Sequence, residues 1–210
     1  MKIKKERVLL FFLIFGVYSC KTNKSFLELN SNPILEKHLR VAVLPFNIIF
    51  SEDYKIISSG SRQGNWLEQQ RVAGLDLQKE AFTILTKRAI KKQWGFTVQD
   101  FLTTNKILKK EDIRFSELGA MEKGKLARLL GVDAVLWGET SIEFEMRSFA
   151  SRNGINTQVQ LFDAESSIMI WKDEVFQQIN NRMESPQDLA TRSVVNLINS
   201  LPYKKSNNTY

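Results

Sequence analysis

Cysteine and histidine are almost missing from this chain of 210 residues, which contains one of each. A single cysteine cannot form a disulfide within the chain. Zinc and iron sites need several nitrogen or sulfur ligands, and Cys20 and His38 are too few to supply them. The sequence therefore predicts no metal site built from His and Cys, and we expect no cofactor.

Apolar runs long enough to cross a membrane are also missing. A run of ten residues, VLLFFLIFGV, extends from Val8 to Val17, whereas a transmembrane helix needs about 20. The run follows a basic segment that contains Lys2, Lys4 and Arg7. A basic segment followed by a short apolar run is typical of a secretory signal peptide, which we assign to residues 1–19.

The apolar run ends in Val17-Tyr18-Ser19-Cys20, which resembles the bacterial lipobox. That resemblance implies a diacylglyceryl thioether on Cys20, usually with a third acyl chain on its amine. Two or three chains, each CH₂ contributing about 0.8 kcal/mol, make membrane attachment effectively permanent. We therefore expect residues 20–37 to form a lipidated tether and the protein to lie in the cell envelope, at the outer membrane facing the periplasm. The alternatives are an uncleaved signal anchor, or a secretory signal followed by an incidental cysteine.

The charge excess is small once the signal segment is set aside. The formal net charge is +7, of which the signal segment supplies +3. The remaining excess is typical of a solvated surface and does not indicate nucleic-acid binding. Lys21 and Lys24, close to the anchor, are suited to anionic lipid headgroups.

The rest of the chain predicts one α/β domain over residues 38–202, followed by a disordered tail at 203–210. Alternating apolar residues indicate strands, and apolar residues at helical spacing indicate helices. The order is β-α-β-α-β-β-β-α, which predicts a mixed sheet of about five strands with helices mainly on one face. Strands are expected at 38–46, 94–99, 132–146, 155–161 and 168–176, helices at 66–93, 101–112, 116–130 and from Ser185, and a long loop at 51–65.

Three stretches of this domain are similar to a superfamily of envelope lipoproteins. They are Arg40–Phe46 (RVAVLPF), Leu129–Glu139 (LLGVDAVLWGE) and Val159–Glu165 (VQLFDAE), the last followed by Ile170-Trp171. The superfamily includes curli-secretion pore proteins, lipoprotein activators of penicillin-binding proteins and small lipoproteins of unassigned role. The resemblance implies an anticodon-binding-like α/β fold and a role in assembly, and it supplies no catalytic residues.

Three patterns could indicate catalysis or nucleotide binding. Gly119–Lys125 (GAMEKGK) matches the start of a P-loop, but Leu126 stands where a hydroxyl should bind magnesium. Glu139, Glu143 and Glu145 share one side of a strand, which a half-solvated sheet explains without acid–base chemistry. His38 would have to serve any Ser-His-Asp triad, and no nucleophile motif accompanies it.

The sequence thus favours a non-catalytic envelope assembly or docking factor, with a membrane and an envelope protein as binding partners; self-association into a homo-oligomer is left open. A first alternative is an oligomeric secretion-pore subunit, in which strands within 139–164 insert as a hairpin with Ile142, Phe144 and Met146 facing lipid. A second is an enzyme or small-ligand binder, which requires a deep pocket with convergent polar groups.

Overall fold

The computed structural model describes residues 25–58, 65–145, 153–179 and 185–206. These residues form seven strands, six α-helices and one short 3₁₀ helix at Phe115–Glu117. The strands are β1 (Phe26–Leu27), β2 (Arg40–Val43), β3 (Asn47–Phe50), β4 (Thr97–Val98), β5 (Ala134–Glu143), β6 (Gly154–Asp163) and β7 (Met169–Gln178). The helices are α1 (Asn32–Lys37), α2 (Glu52–Ser58), α3 (Trp66–Lys92), α4 (Phe101–Lys110), α5 (Lys123–Leu130) and α6 (Pro186–Asn199).

All seven strands belong to one mixed sheet. Its order is β1-β7-β6-β5-β2-β4, and β3 pairs with the far half of β5. The three long strands β5, β6 and β7 form an antiparallel meander, whereas β2, β3 and β4 run parallel to their neighbours. One margin of the sheet is therefore β1, and the opposite margin is shared by β4 and β3.

The two longest helices, α3 and α6, cover one face of the sheet. On α3, Leu77, Ala81 and Leu85 recur at helical spacing and are fully buried, as expected for an amphipathic helix on a sheet. Ser185 begins α6, since its side chain accepts a hydrogen bond from the N–H of Asp188. These helices and the inward side chains of β2, β5, β6 and β7 form the larger core.

Two shorter helices, α4 and α5, cover part of the opposite face. Leu108 of α4 and Leu126 and Leu130 of α5 pack against Val135 and Trp137 of β5. Gly131 ends α5 with a φ of +67°, in the left-handed region that glycine enters readily. The sheet is thus covered on both faces near β2 and β5.

The predicted α/β class with a mixed sheet is confirmed, and the differences concern its extent. The sheet has seven strands because β1 and β3 add two short margin strands to the five expected, and β4 falls within the strand expected at 94–99. The longest helices share one face, as expected, while α4 and α5 add a second layer. Among the described residues, no helix has the length and hydrophobicity needed to span a bilayer.

Two local predictions were wrong. The expected loop at 51–65 contains α2, whose first turn carries Glu52 and Asp53, two carboxylates that favour a helix N-terminus. The expected helix at 116–130 is continuous only from Lys123. The Lys123 ammonium donates to the carbonyl oxygens of Gly119 (3.1 Å) and Met121 (2.8 Å), and so stabilises a turn ahead of α5.

The ends of the domain are more ordered than the sequence indicated. Residues 26–27 of the expected tether pair with β7, and residues 32–37 form α1. Tyr203, where we expected the tail to start, is buried among Trp94, Phe96 and His38. The backbone N–H of Ser206 donates to the Gln93 carbonyl, so the ordered domain continues to Ser206.

Candidate functional site

Cys20, the predicted lipidation site, lies outside the described residues. The described chain begins at Ser25, five positions after Cys20, and β1 starts at the next residue.

The only histidine of the chain lies in a buried hydrogen-bonded cluster. His38 Nε2 lies 3.1 Å from Oδ1 of Asp163, and Nδ1 lies 2.6 Å from the hydroxyl oxygen of Tyr203. The other carboxylate oxygen of Asp163 accepts hydrogen bonds from the backbone N–H and the hydroxyl of Ser166, both at 2.6 Å. The cluster thus joins the start of β2, the turn after β6 and the C-terminal segment.

The pKa shifts in this cluster define where its protons lie. Burial lowers the pKa of His38 more than the Asp163 carboxylate raises it, so the imidazole is neutral. Burial alone would raise the pKa of Asp163, but hydrogen bonds from Ser166 and His38 bring it below its usual value. Burial raises the pKa of Tyr203 well above its ordinary value, and the Asp163 and Asp133 charges add to that effect. Tyr203 therefore donates to Nδ1, and Nε2–H donates to Asp163.

These bonds leave His38 no free ring nitrogen for catalysis. Both nitrogens are engaged inside the protein, and the Tyr203 hydroxyl is consumed by the same chain of bonds. His38 and Tyr203 also border a pocket of about 230 Å³. The geometry fits a structural connection between three segments, and it does not assemble the triad considered from the sequence.

Asp133 plays a similar structural role one strand away. Its Oδ2 accepts hydrogen bonds from the backbone N–H groups of Leu39 and Arg40, both at 2.8 Å. The backbone of Asp133 also bonds to Arg40 and Ala164. The three sequence stretches that resemble envelope lipoproteins therefore meet at this end of the sheet, on the neighbouring strands β2, β5 and β6.

The segment that resembles a P-loop does not form one. Gly124 lies inside α5, where a Cβ would collide with the backbone of Ser167. Lys123 is buried, its ammonium lies 4.4 Å from the centre of the Trp137 ring, and burial lowers its pKa. Packing therefore explains the glycine at position 124 and the lysine at position 123, without a bound phosphate.

The three glutamates are not gathered into one site. Glu139 accepts a hydrogen bond from the Asn47 side chain at 2.8 Å, and Glu143 accepts one from Ser141 at 3.2 Å. Glu145 lies beyond the end of β5, and its backbone N–H donates to Asn153. Within the described ranges, no group of three or more His, Cys, Asp or Glu side chains could hold a metal ion.

The strands of the hypothetical inserting hairpin lie in the middle of the sheet. Positions 134–143 of β5 pair one to one with β6, and Ile142 and its partner Ile155 are buried in the larger core. Phe144 follows β5 and is half-buried, and Met146 lies outside the described residues.

A larger groove lies at the β3 margin and was not anticipated from the sequence. It has a volume of about 810 Å³, with walls from the first turns of α3 and from the α4–3₁₀ segment. Residues 46–49 line it from the sheet. Arg71 of α3 lies 5.9 Å from the centre of the Phe115 ring, a residue of the other wall. We call this feature the β3 groove.

The β3 groove combines apolar side chains with an open strand edge. Leu67 and Ile49 are exposed within it. Among the described residues, β3 pairs with β5 alone, so alternate backbone N–H and C=O groups on its other side have no strand partner. Glu68 and Arg71 form an ion pair. The other charged residues of the lining are Lys109, Arg114 and Asp112, which together carry one excess positive charge.

The groove escaped sequence analysis because it depends on tertiary structure. Its residues come from β3, which lies between the strand predicted at 38–46 and the loop predicted at 51–65, and from two helices distant in sequence. The one available signal was the apolar run Ile48-Ile49-Phe50 just before the expected loop, since such a run fits a second short strand.

Comparison with known proteins gave structural similarity only. No protein-family model matches the chain, and no curated protein matches it. Several solved structures are similar, among them the following three. A PelC dodecamer from Paraburkholderia phytofirmans is 13% identical, covers 85% of this chain and 95% of its own, and has a TM-score of 0.45.

Lipoprotein GNA1162 from Neisseria meningitidis is 15% identical, covers 77% of this chain and 98% of its own, and has a TM-score of 0.43. The C-terminal domain of LpoB from Escherichia coli is 12% identical, with coverages of 81% and 94% and a TM-score of 0.36. No ligand or partner of this chain follows from these similarities.

Proposed function

We propose that this protein is an envelope lipoprotein, held at a membrane by acyl groups on Cys20, that works by binding another envelope protein and not by catalysis. The observation that carries the proposal is the N-terminal pattern. A basic segment and ten apolar residues end at the only cysteine of the chain. A folded domain begins within six residues of that cysteine.

Metabolic labelling with a fatty-acid probe tests the anchor. We expect the wild-type protein to carry the label and to sediment with membranes, and Cys20→Ala to do neither. Cys20→Ser is the matched control, because it keeps the size and polarity of the side chain but cannot form the thioether. Equal labelling of all three proteins, or of none, would contradict the proposal.

We further propose the β3 groove as the surface that binds the partner. Its open strand edge is suited to an extended segment of another protein, which would add a strand beside β3. Leu67 and Ile49 offer apolar contacts, so the bound segment should be apolar. The two positive charges of Lys109 and Arg114 exceed the one negative charge of Asp112, so the segment should carry acidic residues near its ends. The buried state of the His38 cluster supports the non-catalytic part, since its polar groups already bond to one another.

A further inference from the structure

The β1 margin of the sheet exposes an unusual group of apolar side chains. Phe26 and Leu27 form β1 and are 43% and 48% exposed, and Leu29 in the following turn is 85% exposed. Leu29 is the most exposed large apolar residue in the described part of the chain. Water does not favour three large apolar side chains within four positions, and such a patch marks a contact surface.

The sheet fixes these side chains in place. Phe26 and Leu27 pair with Lys172 and Trp171 of β7, and the N–H of Glu28 donates to the carbonyl oxygen of Ile170 at 2.8 Å. Ile168, just before β7, is also exposed. The patch is therefore attached to the rigid sheet and moves with the whole domain.

The short connection to Cys20 determines what this patch can contact. Phe26 is six residues from Cys20, and an extended chain spans at most about 3.3–3.6 Å per residue, so the two lie within roughly 20 Å of each other. The hydrocarbon core of a bilayer is about 30 Å thick. An acylated Cys20 thus keeps Phe26 within roughly 20 Å of the membrane surface, so the β1 margin can reach the bilayer.

We infer that the β1 margin is a membrane-seating surface, in which Phe26, Leu27 and Leu29 enter the interfacial layer of the bilayer beside the acylated Cys20. The inference rests on the proposed lipidation and adds an orientation to it. Glu28 and Lys172 are of opposite charge, so the apolar side chains supply the attraction. The β3 groove lies at the opposite margin of the sheet and faces away from the lipid.

A fluorescent probe on the patch tests the inference in the full-length, lipidated protein. Acylation blocks the sulfur of Cys20, so Leu29→Cys offers the only free thiol for an environment-sensitive dye. The labelled protein is reconstituted into vesicles of phosphatidylethanolamine and phosphatidylglycerol that contain nitroxide-bearing lipids. We expect a blue-shifted emission and loss of most of the fluorescence by nitroxide quenching.

Leu102→Cys on α4 is the matched control, because Leu102 is 64% exposed but belongs to the helix that follows β4 at the opposite margin. We expect its dye to remain unquenched. Mass spectrometry first establishes that Cys20 is acylated. Equal quenching at both positions, or quenching at neither, would then overturn the seating surface and leave the proposed function intact. An unmodified Cys20 in the mass spectrum would overturn both.

Discussion

At the scale of single residues, Asp133 and Asp163 organise one end of the sheet through hydrogen bonds. Each carboxylate accepts two hydrogen bonds through its Oδ2, from the backbone at Leu39 and Arg40 in one case and from Ser166 in the other. The Oδ1 of Asp163 also accepts a hydrogen bond from Nε2–H of His38. Such charge-assisted bonds are stronger than neutral ones, which explains why aspartates occupy these turns.

The His38 cluster makes stability depend on pH. The pKa of His38 is lower in the folded protein than its ordinary value near 6.5. Between those two values the unfolded chain binds a proton that the folded protein does not. The contribution of His38 to the free energy of unfolding is therefore fully present above about pH 6.5. It is lost as the pH falls, at no more than about 1.4 kcal/mol per pH unit.

Chemical denaturation of the detergent-solubilised protein at several values between about pH 7.5 and about pH 5 measures this effect. We expect the free energy of unfolding of the wild type to fall with pH. His38→Gln should lack that slope, since an amide does not titrate, and should be less stable by about 1–3 kcal/mol at neutral pH. The pKa of Asp163 is lowered, so its own effect lies below this range. Equal slopes in both proteins would contradict the assignment.

At the scale of elements, periodicity predicted most of the secondary structure, and tertiary contacts decided the rest. The spacing of Leu77, Ala81 and Leu85 predicted α3, and alternation along residues 155–161 predicted β6. The two-residue strand β1 is too short to produce a pattern, whereas β4 falls within the strand predicted at 94–99. The burial of Tyr203 depends on His38, which lies 165 positions away, and no local signal encodes that contact.

The junction of β3, α3 and β5 depends on glycine at close approaches. The Phe46 ring lies where a Cβ on Gly138 would be, and the Phe46 carbonyl oxygen lies where a Cβ on Gly74 would be. The N–H of Phe46 also donates to the Gly74 carbonyl at 3.2 Å. Phe46 therefore connects two elements that position the β3 groove.

Gly138→Ala tests this packing. We expect it to lower the free energy of unfolding by about 1–3 kcal/mol, because the methyl group meets the Phe46 ring. Thermal unfolding should shift downward by about 2–4 °C per kcal/mol. Gly119→Ala is the matched control, since nothing lies within 4 Å of a Cβ there. In a Phe46→Leu background, Gly138→Ala should lower the free energy of unfolding by less than it does in the wild type. Equal losses in the two backgrounds would exclude the predicted contact.

At the scale of the whole molecule, the sheet separates two margins with different exposed chemistry. The β1 margin is apolar and lies close in sequence to Cys20, and the β3 margin combines an open strand edge with a groove. The larger core lies between them and joins both margins to one body. Membrane attachment and partner binding can therefore occupy separate surfaces of one small domain.

Photocrosslinking in intact cells tests the partner surface. A photoreactive amino acid at Ile49, in the β3 groove, should form a crosslink to an extended segment of another envelope protein, which mass spectrometry of the crosslinked peptide would locate. Ile90, exposed on the last turns of α3, is the matched control and should form none. Crosslinks only between copies of this chain would instead indicate a homo-oligomer, and equal crosslinks at both positions would contradict the proposed groove.

The order of strands also sets a distance. Four inter-strand steps separate β1 from β3, through β7, β6 and β5. At about 4.8 Å for each step, they span roughly 19 Å. With the β1 margin seated on lipid, the domain acts as a spacer of about 2 nm, and it can capture only those partners that bring a peptide that near to the headgroups.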